Sequence, residues 1–318
     1  MTMTWRVCCS ALFLVGVLMF AMGAGCSERP KTTKTPEYAF DAARAWQDLN
    51  HQVAFGPRVP GSEAHKHTRD WLVQQLSLTT KSVDVQPFTH ELRGKTVTMW
   101  NIFATFPGVG PAPRERVLLL AHWDSRPTAD YDSKPEFRSH PIDGANDGAS
   151  GVAVLLEIAR QLKVHPIQRD VVLLLDDGED YGPEIDNMLL GVKYYAAHLP
   201  KEKPTWGILL DMIGDKDLDI YREPNSEKYA KAVNDRIFRA AHALGYLKSG
   251  TLTGFVDSPY KYPIDDDHIP LIQAGIPVAD LIDFDYLPWH TTADSVDKCS
   301  ADSLKIVGAT VLYALQIP

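Results

Sequence analysis

The stretch "DDGED" places Asp176, Asp177, Glu179 and Asp180 within five residues of one another. Carboxylates so close repel. Two unit charges about 4 Å apart interact by roughly 4 kcal/mol at an effective dielectric near 20, so a cleft holding several acids needs protons or a cation. Further donors stand elsewhere in the chain: His122 in "AHWDS", Asp147 in "GANDGASG", Asp211 in "ILLDM" and His290 in "PWHTT". Mixed imidazole and carboxylate donors suit Zn²⁺, which in catalytic sites takes three protein ligands and keeps one position open. No single residue carries that inference. A lone Asp after an apolar run is more often a turn or capping residue; the order and placement of the whole set carry the signal.

Four apolar runs position these donors. "RVLLLAHWDS" leads to His122 and Asp124, "RDVVLLLDDGED" to the acidic cluster, "TWGILLDMIGD" to Asp211, and "GIPVADLIDFD" to Asp283 and Asp285. Runs of this length between turn signals predict strands covered on both faces. Between them, Val152, Leu155, Leu156, Ala159 and Leu162 recur at helical spacing. A second helix is expected through "SEKYAKAVNDRIFRAAHALGY", with Ala230, Val233, Ile237, Ala240 and Leu244 on one face and Gly245 as C-cap. Strands alternating with helices predict an α/β fold with a mostly parallel sheet and helices on both faces. In such sheets ligands bind beyond the carboxyl ends of the strands, which is where the His and Asp residues fall.

The 318 residues, 45% hydrophobic and 23% charged with a net charge of −9, have ordinary globular composition. No long basic run is present, so nothing supports nucleic-acid binding. The first 26 residues combine Arg6, an apolar stretch from about Ala11 to Met22, and small residues before Cys26. They predict an export signal, and "GAGC" resembles a lipobox in which Cys26 would be lipidated and become the mature N-terminus. The expected location is a bacterial membrane-anchored lipoprotein, periplasm-facing or at the cell surface, with plain secretion as the alternative. Polar residues 27–37 read as a tether, and 38–318 as a single catalytic domain. Beyond Cys8, Cys9 and Cys26, only Cys299 remains; it can make no intrachain disulfide and reads as a packing residue.

The segments "LLLAHWDSRP", "DGANDGASGVAVLLEIARQL", "LLDDGEDYG", "GILLDMIGD", "DDDHIPLIQAGIPVADLI" and "PWHTTADSVDKCS" together resemble the zinc-aminopeptidase-like (M28-type) superfamily. They are most similar to its glutaminyl-peptide cyclotransferase branch, especially the bacterial members, from about Phe40 to Leu315. The resemblance implies a three-layer αβα fold with a mixed, mostly parallel sheet. It implies one zinc held by Asp147, Asp180 and His290, with Glu179 as general acid/base and Asp211 and Asp266 as a hydrogen-bonded acid network beside it. Trp289 matches an aromatic residue that shapes the substrate pocket, and His122 a histidine that is a ligand only in two-metal relatives. Mammalian members have Glu where Asp180 stands; Asp accords with the bacterial branch. The implied substrates are peptides or proteins with N-terminal Gln, cyclised to pyroglutamate with release of ammonia.

Other residues receive lesser roles. Asp124 is positioned to fix the His122 tautomer, and Asp294 to support the His290 loop. Asp176 and Asp177 read as structural; Asp265 and Asp267 are expected to be solvated, and His268 to orient its loop or pack. His65, His67 and His140 read as incidental, with His65 and His67 exposed at a helix start. The polar insertion 127–143 lies between two strand ends and could form a pocket rim. Two rival functions remain open. A dinuclear zinc aminopeptidase would bind one zinc with His122 and Asp211, another with Asp180 and His290, and bridge both with Asp147, leaving Glu179 to deprotonate a water. A non-catalytic surface binding domain on the same fold is the other. "DDHIP" and Trp289 before His290 favour the cyclotransferase. The sequence does not speak to oligomeric state.

Overall fold

The computed structural model describes residues 39–92, 94–248 and 254–317. The expected signal segment with Cys26 and the tether lie outside the described residues. Along the chain run α1 (Ala42–Ala54), α2 (Glu63–Ser77), β1 (Val83–Leu92), β2 (Lys95–Phe106), β3 (Arg116–His122), α3 (Ala149–Val164), β4 (Asp170–Asp176) and α4 (Leu190–Ala197). They are followed by β5 (Trp206–Asp211), β6 (Asp219–Arg222), α5 (Pro224–Tyr229), α6 (Lys231–Leu244), β7 (Gly254–Pro259), α7 (His268–Gln273), β8 (Val278–Ile282) and α8 (Ala301–Ala314).

The four apolar runs become β3, β4, β5 and β8, adjacent and mutually parallel in a six-stranded sheet of order β1-β2-β4-β3-β5-β8. Strand periodicity then divides their side chains between two layers. Val117, Leu119, Ala121, Leu173, Leu175, Ile208 and Leu210 pack with residues of α1, α3 and α8. Leu118, Leu120, Val172, Leu174 and Leu209 pack on the opposite face with Val192 and Tyr195 of α4 and Leu271 of α7. This is a three-layer αβα architecture with a mixed, mostly parallel sheet. Each fully buried Leu or Val contributes about 1.5–3 kcal/mol, so the central strands are its main apolar reservoir. Among the described residues no helix is long and apolar enough to cross a membrane.

Register brings the polar ends together. His122 is paired across from Asp176 in the β3–β4 ladder, and Asp211 across from Ile282 in β5–β8. The same edge therefore carries every polar residue that follows an apolar run.

Two elements differ from the sequence expectation. The β1–β2 hairpin adds two antiparallel strands at one side of the sheet. Its strands carry many exposed polar residues around isolated buried ones such as Phe88, Met99 and Ile102, so no continuous apolar run marks them. The single helix expected through "SEKYAKAVNDRIFRAAHALGY" is two: α5 and α6 meet at Ala230, whose φ of −131° and ψ of 29° are not helical. Gly245 does cap α6, at φ 77°.

α3 is the pivot of the fold, buried along most of its length between the sheet and α1 and α8. It starts from a backbone that only glycine suits: Gly148 has φ 96°, and a Cβ there would sit 2.6 Å from the Asp124 carbonyl oxygen. One turn in, a Cβ on Gly151 would collide with the Leu210 carbonyl oxygen and stand 2.9 Å from Ala121 Cβ. Replacing Gly151 with Val should therefore push α3 off β3 and β5. The expected cost is at least the roughly 1–3 kcal/mol of an overpacked core, read as a lower urea midpoint at unchanged slope. A midpoint equal to that of the parent would contradict this packing.

Candidate metal centre

Asp147, Asp180 and His290 each bring one donor atom to within 4.8 Å of the others, and all three are buried. His290 Nε2 lies 3.3 Å from Asp180 Oδ1 and 3.7 Å from Asp147 Oδ2. Two ligands on one zinc at bonds of roughly 2.0–2.2 Å are separated by about 3.4 Å in a tetrahedron, so the spacing suits a shared ion. Asp147 Oδ2 and Asp180 Oδ2 are buried without a hydrogen-bond partner, a costly state that a cation would relieve. A second group, His122, Asp147 and Asp211, shares Asp147 with the first. There His122 Nε2 is 3.1 Å from Asp147 Oδ1 and 3.2 Å from Asp211 Oδ1.

Each donor comes from a strand end or the loop after it. His122 and Asp211 close β3 and β5, Asp180 follows β4, and Asp147 immediately precedes α3. His290 sits at φ 54°, and Met212, next to Asp211, at φ 47°. Left-handed backbone at non-glycine residues costs about 1–3 kcal/mol and persists only where surrounding contacts impose it. For His290 those contacts are visible: Tyr131 N donates to its carbonyl at 3.2 Å, and the Tyr131 and Trp289 rings stack on its imidazole at 5.5 and 4.0 Å. The insertion 127–143 thus clamps the His290 loop, with Asp132 accepting from Thr292 N and Oγ1.

Asp124 lies where the tautomer role requires it, with Oδ1 3.4 Å from His122 Nδ1, and it also accepts from Glu179 N at 3.2 Å. Burial opposes a charge on His122, but Asp124, Asp147 and Asp211 surround the ring and hold its pKa well above the ordinary value. Burial pushes the Glu179 carboxyl well above its usual range; His122 works against this, while Asp180, Asp266 and Asp211 add to it. Burial likewise raises Asp266, with Asp211 reinforcing the shift.

Several residues stand elsewhere than the sequence suggested. Asp294 does not reach the His290 side chain. It accepts from Asn146 N at 2.9 Å, Asp147 N at 3.2 Å and Tyr286 Oη at 2.7 Å, so it holds the Asp147 turn instead. His65 is fully buried rather than exposed: Nε2 meets both Asp177 oxygens at 2.8 and 2.9 Å, and its ring stacks on Trp123 at 4.4 Å. α2 turns that one polar position inward while His67 stays at the surface. Asp177, which also accepts from Trp100 N, ties β4 to α2 and β2; burial moves its carboxyl up to about 6 against the pull of His65. Asp265 is exposed as expected, but Asp267 is buried.

Two arginines escaped the sequence reading. Arg126 Nη1 lies 2.5 Å from Asp180 Oδ1, and its other nitrogens hold Asp130. Arg58, fully buried, donates to the carbonyls of Trp123 at 3.0 Å, Asp143 at 2.7 Å and Gly144 at 2.7 Å, strapping together the two loops that carry Asp124 and Asp147. Neither lies in a spacing pattern that announces it.

The donors open into a cleft of about 260 Å³. Asp147, Glu179, Asp211, Asp266 and His290 line it together with Tyr131, Tyr262, Ile264, Ile282, Phe284 and Trp289. Acid groups against apolar and aromatic walls can bind a small polar group, hold it against a metal and move a proton on it.

Residues 101–315 match the model of peptidase family M28. Over 293 residues the chain is 29% identical to a glutaminyl-peptide cyclotransferase of Drosophila melanogaster, covering 82% of this chain and 77% of that protein. The structure of Bacteroides thetaiotaomicron glutaminyl cyclase bound to N-acetylhistamine superposes with a TM-score of 0.82 at 33% identity, covering 88% of this chain and 99% of that one. A Zn-dependent exopeptidase from Parabacteroides distasonis gives 0.81 at 34% identity, with 88% and 99% covered.

The contacts of Asp294 generate a test. Asp294→Ala removes the acceptor for two backbone N–H groups of the Asp147 turn without touching a donor atom. Loss of such an outer partner typically lowers metal affinity by about 10–100-fold. Competition against a graded zinc chelator should show that shift, with the far-ultraviolet circular dichroism unchanged. Parent-like affinity would detach Asp294 from the site.

Proposed function

This chain belongs to peptidase family M28, and we propose that within it the protein is a zinc-dependent glutaminyl-peptide cyclotransferase. Its substrates are peptides or proteins with N-terminal Gln, which it converts to pyroglutamate with release of ammonia. The observation that carries the reading is Glu179, buried in a small aromatic-walled cleft beside Asp147, Asp180 and His290. The glutaminyl cyclases among its relatives and structural neighbours support the same reading.

Zinc held by Asp147, Asp180 and His290 would supply Lewis acidity to the γ-amide carbonyl of the substrate. Trp289, Phe284 and Ile282 surround the folded Gln side chain and exclude water from it. Glu179 takes a proton from the α-amine as that nitrogen attacks the carbonyl carbon of the side-chain amide, closing a five-membered lactam, then returns it to the departing ammonia. Asp211 and Asp266, raised by burial, are suited to share protons with Glu179 and steady its charge. Arg126 holds Asp180 in place through Nη1. The acid-rich cleft also favours a cationic N-terminus on the approaching peptide.

One observation keeps a dinuclear aminopeptidase as the second reading: His122, Asp147 and Asp211 form a donor group sharing Asp147 with the first. In the favoured reading His122 Nε2 instead pairs with Asp211 at 3.2 Å and, standing beside Asp147, occupies that place. Export, lipidation at Cys26 and a tether at 27–37 complete the proposal, with exported proteins as clients.

Gln-initiated and Leu-initiated peptides separate the two enzymes. The zinc-loaded protein should release ammonia from the first, with the product lighter by one ammonia, and no free amino acid from the second. Free leucine with no ammonia would reverse the assignment. Glu179→Gln should retain zinc and lose about 10²–10⁴-fold in kcat; a normal rate would remove Glu179 from the proton-transfer role.

A further inference from the structure

The edge of the sheet opposite the cleft gathers exposed apolar residues at one corner. Leu78 directly follows α2, Val109 lies three residues beyond β2 and Val164 ends α3; they are 63%, 61% and 67% exposed. Each stands at or past the last turn or strand pair of its element, where the stripe that faces the core has run out. Hydrogen bonds bring the three segments together. Lys163 Nζ donates to the Leu78 carbonyl at 2.7 Å, Thr80 Oγ1 to the Thr105 carbonyl at 2.8 Å, and Val109 N to the Ile167 carbonyl at 2.8 Å. Contiguous apolar exposure of this kind marks an interaction surface more often than scattered single residues do.

The charge at this corner runs against that of the whole chain. Net charge is −9, yet residues 77–82, 107–113 and 163–168 include no Asp or Glu. They do include Lys81 and Lys163, both exposed. Lys163 gives one N–H to the Leu78 carbonyl and keeps two more for a partner. The acids at the border are already engaged, Glu115 by Arg169 and Asp170 by Arg114 at 2.7 Å. Asp84 of β1 lines a hollow with Tyr195, which places it on the α4 side of the sheet. An apolar corner with cations and no carboxylate suits an anionic partner that also offers an apolar interior.

The described chain enters on the same half of the molecule. α1 runs antiparallel to α3: Gln52 Nε2 donates to the Ala149 carbonyl at 3.1 Å where α3 begins, and Arg44 lies 3.8 Å from Glu157 toward its end. Ala39, just before α1, therefore lies toward the amino edge of the parallel strands, whereas the cleft opens at their carboxyl edge. The length of the proposed tether then matters. Residues 27–37 reach about 36–40 Å when fully extended. A folded body of roughly 280 residues is about 50 Å across. Held from its amino-edge half by a segment shorter than its own width, such a body turns that edge, not the cleft, toward whatever holds Cys26.

We propose that the corner formed by Leu78, Val109 and Val164, with Lys81 and Lys163, docks on an anionic phospholipid surface, a reading that rests on the lipid anchor proposed at Cys26. The three apolar side chains enter the headgroup layer, and the two ammonium groups meet lipid phosphates. One lipid-modified residue with a second, weaker surface signal is the usual requirement for stable attachment. Docking by this edge holds the cleft on the far side of the molecule, open to exported peptides.

The test uses the full lipidated chain in vesicles of phosphatidylethanolamine and phosphatidylglycerol in equal parts. Leu78→Cys, Val109→Cys, Val164→Cys and, as the cleft-side control, Leu287→Cys each receive an environment-sensitive fluorophore; Cys299 is buried and does not compete. A spin label on the lipid headgroup then reports contact. The expected result is a blue-shifted emission and quenching at 78, 109 and 164, with neither at 287. Replacing phosphatidylglycerol by phosphatidylcholine, or combining Lys81→Glu with Lys163→Glu, should reduce the quenching at all three. Equal quenching at all four positions, quenching at 287 alone, or none at all would overturn the docking face. A blue shift without lipid quenching would overturn it too, since a protein then covers the corner. The mass of the N-terminal peptide reads lipidation separately, and ammonia release from a Gln peptide reads the reaction. Failure of the face with both of those intact sinks this inference alone, whereas an unmodified Cys26 removes the anchor and the docking together.

Discussion

The structure is organised around one electrostatic demand: buried carboxylates gathered at the carboxyl edge of a parallel sheet must be neutralised. Asp147, Glu179, Asp180, Asp211 and Asp266 line or adjoin one cleft, and burial raises the pKa of Glu179, Asp211 and Asp266. The chain spends few cations there. Arg126 answers Asp180, and the His122 imidazole stands among Asp124, Asp147 and Asp211. The residual deficit is what makes Asp147, Asp180 and His290 suited to an ion and Glu179 suited to carry a proton.

The scaffold meets that demand through backbone support rather than bulk. Asp294 and Arg58 hold the turn before α3, Asp124 holds the amide of Glu179, and Asp177 with His65 fixes the loop entering the acidic cluster. Each is a buried polar group with more than one partner, so removing one member leaves the others to the cost of desolvation. The left-handed backbone of His290 persists beside the cleft because Tyr131 and Trp289 hold it from either side. The insertion 127–143 belongs to this support: through Tyr131 and Asp132 it grips the His290 loop and also supplies part of the cleft wall.

Much of this was legible before any coordinates. The parallel strands were visible because β3, β4, β5 and β8 are covered on both faces, so nearly every residue in them is apolar. α3 and the Gly245 cap followed from helical spacing. The hairpin β1–β2 was hidden because its strands carry polar residues between few buried ones, and the helical period ran unbroken through Ala230 although the backbone there is not helical. His65 read as a surface residue and Arg58 and Arg126 drew no reading at all; only their tertiary environment buries them.

What the sequence determined by itself was an inventory and an edge: which donors exist, and that apolar runs deliver them to the carboxyl ends of parallel strands. Local patterning can do this, because strand and helix periods are properties of neighbouring residues. What only the tertiary structure decided was pairing. Asp294 serves Asp147 rather than His290, Asp267 is buried while Asp265 is not, and His65 meets Asp177 across 112 residues. Those outcomes depend on distances between segments far apart in the chain, set by strand order and by how closely α3 and α7 approach the sheet. No spacing along the sequence encodes them.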